Sequence, residues 1–174
     1  WEEKLERIID ETIGQDMTLI SGIPPWVQMY FDRIQMRTGK KIIDVFPNFS
    51  MFVYGGVNFE PYRAKLFDTI GKKVDAIETY PASEGFIAYQ DSQHEEGLLL
   101  LLNSGIYFEF IPAEEFFNDK PTRLNIEEVA LGKNYAVVIN INAGLWGYSI
   151  GDTIRFFSKT PYRILVTGRI KHFI

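Results

Sequence analysis

The sequence predicts an α/β (α+β) protein in which a mixed α/β layer is followed by a β-rich meander. The first half alternates between stretches of helical and strand periodicity, and glycines stand where the helical stretches stop. The second half consists mainly of short apolar runs separated by polar turns. Hydrophobic residues make up 46% of the 174 residues and aromatic residues 15%, which is enough to build a packed core.

Two helices are predicted at the start of the chain. In EEKLERIIDETI, helical spacing places four apolar residues on one face, and Gly14 closes the helix. Pro24 and Pro25 suit the first turn of a second helix, which Gly39 ends. The apolar face of the first helix is Leu5, Ile8, Ile9 and Ile13, and that of the second is Trp26, Met29, Tyr30, Phe31 and Ile34.

The next three elements are predicted to be a strand, a helix and a strand. SMFVYGG has the pattern of a short strand that ends in Gly55 and Gly56. FEPYRAKLFDTIG has the pattern of a helix that is stopped by glycine. KVDAIETY predicts a second strand, which runs into a polar turn between Pro81 and Gly85.

Antiparallel strands are predicted from there on. Residues 97–104 and 105–112 have the pattern of a hairpin with a polar turn at 103–105, and Tyr107, Phe108 and Phe110 are expected in the core. A polar connection with a short helix follows at 113–133. Three more strands are predicted at 135–142, 147–157 and 161–168.

Composition and charge exclude several classes of protein. The net charge of −5 argues against a nucleic-acid-binding surface, which requires a basic excess. Without cysteine there are no disulfides or thiolate metal ligands, and with only His94 and His172 a zinc site is not expected. No apolar run approaches the about 20 residues of a membrane span. No signal peptide is recognisable, and we expect a cytoplasmic protein without membrane contacts.

The turn TYPASEG at 79–85 follows a predicted strand, and ligands of open α/β sheets gather at the carboxyl ends of strands. Glu84 could ligate Mg²⁺, which prefers one or two carboxylates together with phosphate oxygens. Tyr80 could stack on a flat base. A plain surface turn explains the same residues. Gly55 and Gly56 could likewise admit a ligand close to the backbone, or form only a tight strand-to-helix connection.

Two further segments, GYSIGDT and TGRIKHF, contain candidate binding residues. The carboxylate of Asp152 has two acceptor oxygens and could bind both hydroxyls of a ribose, although aspartate is also common in hairpin turns. Arg169 and Lys171 could reach phosphate or ribose, or could form a basic strand end. Nothing in the sequence supports a role of His172 as a general base. The phosphate-loop and dinucleotide-binding glycine motifs are both missing from this sequence.

In their order and spacing these segments resemble the adenylate-forming superfamily. More narrowly, they resemble the auxin-responsive-promoter family of acyl-acid–amido synthetases, in a bacterial-type form. The resemblance covers nearly the whole chain, and its most specific part is TYPASE and YSIGD followed by GRIKHFI. The segments that carry it are GIPPW, YGGVNFEPYR, TYPASEGFIA, GIYFEFIP, AGLWGYSIGDTIRF and PYRILVTGRIKHFI.

The resemblance implies an ATP- and Mg²⁺-dependent ligase. Such an enzyme joins a small-molecule carboxylic acid to the α-phosphate of ATP and then passes the acyl group to the amine of an amino acid. A ligase that uses coenzyme A as the acceptor is an alternative. A non-catalytic module that binds nucleotide or another partner is a second alternative.

The resemblance also implies roles for residues of the first half and of the TYPASE motif. Gly55 and Gly56 would line the adenine and acyl side of the site. Thr79 and Tyr80 would contact the adenosine, with the ring of Tyr80 stacked on adenine. Ser83 would donate or accept a hydrogen bond near the nucleotide.

Three implied roles involve charged residues. Glu84 would hold Mg²⁺, and Asp152 would bind the ribose hydroxyls. Arg169 would stand at the hinge to a small C-terminal domain and would also reach the ribose.

The sequence departs from the family pattern in three places. The family's Ser/Thr/Gly-rich phosphate loop is expected upstream of Trp1, and the C-terminal domain beyond Ile174. Gly147 and Ser149 stand where plant relatives tend to be basic, which affects the phosphate contacts. We therefore expect residues 1–174 to be a single partial domain, the later part of the N-terminal adenylation domain, ending near the hinge at 168–174. This part alone is expected to be catalytically incompetent.

Overall fold

The computed structural model describes residues 1–170. Lys171, His172 and the last part of the predicted hinge at 168–174 lie outside the described residues. The chain divides into two compact units, of which the first is Trp1–Thr79 and the second begins at Tyr80. The prediction that the whole chain forms part of one larger domain stays a prediction.

The first unit combines parallel strands with helices. Its strands are β1 (Leu19–Ser21), β2 (Met51–Gly55) and β3 (Asp75–Ala82), the last of which continues past Thr79. Its helices are α1 (Glu2–Thr12), α2 (Pro24–Thr38), α3 (Ile42–Val45) and α4 (Glu60–Ile70). β2 pairs in parallel with β1 on one side and with β3 on the other. All predicted elements of this half are confirmed, whereas β1 and α3 were not predicted.

Proline and glycine set the limits of two of the predicted helices, α2 and α4. Both α2 and α4 have proline in the first turn, where the missing N–H has no intrahelical partner to lose. α2 is capped at its carboxyl end by Gly39 with φ 68° and α4 by Gly71 with φ 93°, the left-handed conformation that glycine adopts without strain.

The buried face of the first helices differs from the prediction at two residues. Trp26 is 60% exposed, and Ile8 is 38% exposed. The buried stripe of α2 runs through Val27, Phe31 and Ile34 at helical spacing, so that Trp26 points off this stripe and lies 6.1 Å from the ring of Trp1. In α1 the buried residue is Ile9, flanked by partly buried residues one turn away on either side.

The second unit is an antiparallel sheet with the strand order β4-β5-β9-β8-β7-β6. The strands are β4 (Gly85–Tyr89), β5 (Leu98–Leu100), β6 (Ile106–Pro112), β7 (Asn134–Ile141), β8 (Tyr148–Lys159) and β9 (Tyr162–Arg169). A 3₁₀ turn at Ala113–Glu115 is the short helix predicted in the polar connection. The three-stranded meander β7-β8-β9 is confirmed.

The predicted hairpin between residues 97–104 and 105–112 is wrong. β5 pairs with β4 on one side and with β9 on the other, so both of its sides are occupied. β6 pairs instead with β7 along its whole length, from Ile106 opposite Ile141 to Pro112 opposite Tyr135. The longer ladder with β7 satisfies more backbone groups than the three-residue strand β5 could.

Aromatic side chains form the centre of the core of the second unit. The ring of Phe110 lies 5.0 Å from that of Phe156 at an interplanar angle of 80°, and Phe108 and Tyr135 pack beside them. Tyr107 is 60% exposed, because alternate residues of a strand point to opposite faces. The predicted fold class, a mixed α/β layer followed by a β-rich meander, is confirmed. Among the described residues, every helix is too short or too polar to cross a membrane.

Candidate functional site

A bulge in β8 takes Asp152 out of the regular ladder between β7 and β8. Ser149 pairs with Val138 and Thr153 with Ala136, so β8 contains extra residues between these two pairs. Gly151 lies inside the bulge with φ 78°, a conformation that other residues adopt only with strain. The neighbouring Ile150 is buried in the core. Asp152 therefore lies in a strand at an irregular point, and not in a hairpin turn.

Two side chains hold the carboxylate of Asp152. The hydroxyl of Tyr80 donates a hydrogen bond to Oδ2 at 2.8 Å. The guanidinium of Arg169 places Nε 3.0 Å from Oδ1. The Asp152 side chain is 20% exposed, and each carboxylate oxygen keeps a second lone-pair direction that can accept a further hydrogen bond. The carboxylate is thus fixed in position and still able to bind hydroxyl groups.

Arg169 reaches Asp152 from the adjacent strand. The two residues are cross-strand partners of β8 and β9, which brings their side chains together. Nη2 of Arg169 also donates to the carbonyl oxygen of Ile150 at 3.2 Å. A Cβ atom on Gly151 would lie 3.5 Å from Nη2, in contact with the guanidinium. Gly151, which has no side chain, therefore leaves space for the guanidinium of Arg169, and the carbonyl oxygen of Ile150 accepts a hydrogen bond from it. The Arg169 side chain remains 74% exposed.

Tyr80 is a buried hydrogen-bond donor. Its exposed fraction is 7%, and its ring belongs to the core of the second unit. Burial, followed by the hydrogen bond to Asp152 and the negative charge of Asp152, raises the pKa of Tyr80 above its ordinary value. The hydroxyl consequently stays protonated and keeps donating to Asp152 at neutral pH.

Ser83 and Glu84 form the turn between β3 and β4, at the place predicted from TYPASEG. Ser83 is exposed and Glu84 is half-buried. A hydrogen bond to Glu84 raises the pKa of Tyr148, the first residue of β8. The charge of Glu84 also acts on Tyr80, as the weakest of the influences that raise the pKa of Tyr80. Glu84, Tyr80, Asp152 and Arg169 thus belong to one constellation of the second unit.

The other predicted residues form a separate set in the first unit. Gly55, at the carboxyl end of β2, and Thr79 form the last pair of the parallel ladder between β2 and β3, and the Thr79 hydroxyl donates to the carbonyl oxygen of Tyr54 at 2.9 Å. Gly56 follows with φ 81°, as a tight connection after the strand requires. These residues occupy the end of a parallel sheet at which ligands usually bind.

A polar cluster beside this set was not predicted. Tyr54 and Glu78 are cross-strand partners, and the guanidinium of Arg63 lies 4.7 Å from the centre of the Phe59 ring, which contacts Tyr54. Burial, together with the charge of Glu78, raises the pKa of Tyr54 to about 12. Burial also raises the pKa of Glu78 above its ordinary value. A glutamate inside the predicted strand KVDAIETY was the signal that could have identified this cluster.

A groove of about 530 Å³ in the first unit contains none of the predicted site residues. Its apolar lining comes from Trp1, Leu5, Pro25, Met29, Met36 and Tyr62. The residues around Asp152 are therefore identified as a candidate site by their hydrogen bonds and charges, and not by the volume of a cavity.

The residues 1–170 contain no cluster of three or more histidine, cysteine, aspartate or glutamate side chains that could bind a metal ion by itself. A single carboxylate such as Glu84 suits Mg²⁺, which commonly takes its remaining ligands from water and substrate phosphates.

Comparison with solved structures defines the class of fold. The chain superposes on a 2-hydroxyisobutyryl-CoA ligase in complex with 2-HIB-AMP and CoA with a TM-score of 0.70, at 13% identity over 98% of this chain and 40% of that one. It superposes on GH3.15 acyl acid amido synthetase with a TM-score of 0.59, at 18% identity over 74% of this chain and 23% of that one. The chain therefore has the fold of a part of each of these two enzymes.

Sequence comparison then gives the family. Residues 99–169 match the GH3 family central domain. The jasmonoyl–L-amino acid synthetase JAR4 of Nicotiana attenuata is 34% identical over 130 residues, which is 69% of this chain and 22% of that protein. The chain belongs to the GH3 family, which is the family that its motifs resemble. It spans 22% of the length of this relative.

Proposed function

We propose that the chain is part of an ATP-dependent acyl-acid–amido synthetase. The whole protein would adenylate a small carboxylic acid and transfer the acyl group to the amine of an amino acid. The observation that carries this proposal is the carboxylate of Asp152, fixed between Tyr80 and Arg169 at a bulge. Membership of the GH3 family supports it.

Asp152 would bind the two hydroxyls of the ribose. Two vicinal hydroxyls need two acceptors at a fixed separation, and a carboxylate whose oxygens are each held by a donor supplies them. Arg169, at the end of β9, would stabilise this carboxylate and reach the ribose oxygens. The resemblance of the motifs assigns the adenine ring to Tyr80, and its 7% exposed fraction leaves only a small part of the ring surface for stacking.

Glu84 would hold Mg²⁺, and Ser83 would form a hydrogen bond close to the nucleotide. Mg²⁺, when bound with ATP, would neutralise charge on the phosphate oxygens. The half-buried position of Glu84 in the turn suits a carboxylate that shares an ion with a substrate. The roles of Gly55, Gly56 and Thr79 on the adenine and acyl side rest on the resemblance of the motifs alone.

The proposed reaction has two steps. A carboxylate oxygen of the acid forms a bond to the α-phosphorus of ATP, and the bond from that phosphorus to pyrophosphate breaks. The amine nitrogen of the amino acid then forms a bond to the acyl carbon, AMP leaves with the electron pair, and the amine loses a proton. The protein acts mainly by positioning the reactants and by screening negative charge during the attack on phosphate.

Assays of the full-length protein test this function. The proposal predicts exchange of labelled pyrophosphate into ATP that depends on a carboxylic acid, followed by amide formation with an amino acid. Formation of a thioester with coenzyme A in place of the amide would contradict the choice of acceptor. No exchange with any carboxylic acid, together with no affinity for ATP, would indicate a non-catalytic module.

A further inference from the structure

The loop between β7 and β8 leads directly into the segment that carries Asp152. Its backbone is closed by hydrogen bonds from Ile141 N to Leu145 O at 2.9 Å and from Gly144 N to Ile141 O at 3.2 Å. Gly147 is the last residue before β8 and has φ 61°. The position of Gly147 therefore determines how β8 enters the sheet.

Asn140 joins this entry point to the neighbouring strand β6. Its Oδ1 accepts a hydrogen bond from the backbone N–H of Gly147 at 2.7 Å. Its Nδ2 donates to Oε2 of Glu109 at 2.8 Å. One amide side chain thus connects the last residue of the loop to β6.

Glu109 determines which way the amide of Asn140 points. Arg123 donates from Nε to Oε1 of Glu109 at 3.0 Å and from Nη2 to Oε2 at 2.5 Å. Burial disfavours the charged form of Glu109, but the hydrogen bonds from Asn140 and Arg123 outweigh burial and hold its pKa below the ordinary value. An ionised carboxylate only accepts hydrogen bonds, so the NH₂ group of Asn140 must face it and the amide oxygen must face Gly147.

Arg123 also restricts Gly147 directly. A Cβ atom at residue 147 would lie 3.2 Å from both Nη1 and Nη2 of Arg123. The guanidinium therefore lies against the face of Gly147, and a larger residue would displace it. The loop end is held from two sides, by the amide of Asn140 and by the guanidinium of Arg123.

We propose that Asn140 is a positioning residue for Asp152, with its amide oriented by the pair Glu109–Arg123. The inference rests on the proposed function. The ladder pair Ile139–Tyr148 directly follows Gly147, and the bulge with Asp152 comes after the next pair. A slip of β8 by one residue would move its side chains to the opposite face and take Asp152 away from Tyr80. Asn140 fixes the register on the loop side of the bulge.

An exchange of the amide and the carboxylate tests the proposal in the full-length protein. In Asn140→Asp, two carboxylates face each other and the donor to Glu109 is lost. In Glu109→Gln/Asn140→Asp, the new amide at position 109 can donate to the new carboxylate at position 140, which still accepts from Gly147. The net charge of the pair is the same as in the original protein, and Arg123 keeps its hydrogen bond from Nε to position 109 but loses the one from Nη2, because the amide NH₂ takes the place of Oε2.

We expect Asn140→Asp to raise KM for ATP by about tenfold or more, with kcat changed by less than about threefold, because an alignment needed for binding is lost. The double variant should have a KM at least about threefold lower than that of Asn140→Asp, without a full return to the original value, because Arg123 then keeps one of its two hydrogen bonds to position 109. Glu109→Gln alone should give a smaller rise, since the amide of Asn140 can then adopt both orientations. If Asn140→Asp does not fold, the KM of Glu109→Gln still tests the positioning role of Asn140.

Two control variants separate the positioning role of Asn140 from the proposed function. Asp91→Asn breaks an ion pair with Arg163, toward the opposite end of β9 from Arg169, and should leave KM for ATP unchanged. Asp152→Asn reports on the proposed function itself. If Asp152→Asn leaves KM unchanged, the proposed function is wrong. If Asp152→Asn raises KM but Asn140→Asp does not, or if the double variant is as impaired as Asn140→Asp, the positioning role of Asn140 is wrong.

Discussion

The hydroxyl of Tyr80 donates a hydrogen bond of 2.8 Å to the carboxylate of Asp152, 72 residues further along the chain. The contact joins the end of β3 to the bulge of β8. It explains why an aspartate stands among strand residues, because the carboxylate has a buried donor on one oxygen and Arg169 on the other. The motifs TYPASE and YSIGD, separated in the sequence, therefore meet in one place.

Replacement of Tyr80 by phenylalanine removes the donor and keeps the ring in the core. A hydrogen bond to a charged group contributes about 1.5–3 kcal/mol, so the Kd for ATP is expected to rise about tenfold or more. Calorimetric titration of the full-length variant measures this change. An unchanged Kd would show that Tyr80 does not align the carboxylate.

Replacement of Gly151 by alanine strains the bulge. The φ of 78° is unfavourable for alanine, and the new Cβ would contact the guanidinium of Arg169. A loss of about 1–2 kcal/mol in the free energy of unfolding is expected, together with weaker binding of ATP. Gly105→Ala is the matched control, because Gly105 has φ 82° and open space around a Cβ. It should lose similar stability and keep its affinity for ATP, and equal losses of affinity in both variants would contradict the account.

Replacement of Glu84 by glutamine removes the proposed ligand of Mg²⁺. The concentration of Mg²⁺ that half-saturates the pyrophosphate exchange should rise about tenfold, as expected for the loss of one charged contact. The Kd for AMP without Mg²⁺ should stay the same. If the Mg²⁺ dependence does not move, Glu84 is not a ligand of the ion.

The ion pair between Asp91 and Arg163 should make stability depend on pH. The hydrogen bonds from Arg163 hold the pKa of Asp91 below its ordinary value of 3.8. Because the folded-state pKa is lowered, the stabilisation is complete above the unfolded-state pKa and is lost as the pH falls through the folded-state value.

Asp91→Asn should accordingly reduce the free energy of unfolding by about 2 kcal/mol at pH 7, since Arg163 is left buried without its charged partner. The difference from the original protein should shrink below about pH 4. Urea unfolding of both proteins between pH 3 and 7 measures this. A difference that is constant over this range would contradict the assigned ion pair.

Local signals were sufficient for much of the fold, and the resemblance of the motifs indicated part of the candidate site. Prolines and glycines gave the limits of α2 and α4 because they act on the backbone of their own turn. Alternation of apolar residues gave β7, β8 and β9. The quoted motifs pointed to Tyr80, Asp152 and Arg169, which the structure places in direct contact.

Features that depend on the pairing of strands far apart in the chain could not be predicted from local sequence signals. Leu98–Leu100 was paired with the wrong neighbour because its partner β9 lies far along the chain, and sequence proximity favoured a hairpin. The network of Arg123, Glu109 and Asn140 was missed for the same reason. These residues meet only through the register of β6 with β7 and the path of the polar connection.

Calorimetric titration of AMP into the full-length protein and its Asp152→Asn variant is the sharpest test of whether Asp152 binds the ribose. We predict a Kd at least about tenfold higher for Asp152→Asn, because the ribose hydroxyls lose a charged acceptor. Asp91→Asn, the matched carboxylate-to-amide change in the same unit, should bind AMP like the original protein. If the Asp152→Asn variant binds AMP with a Kd within about twofold of the original, Asp152 does not bind the ribose hydroxyls.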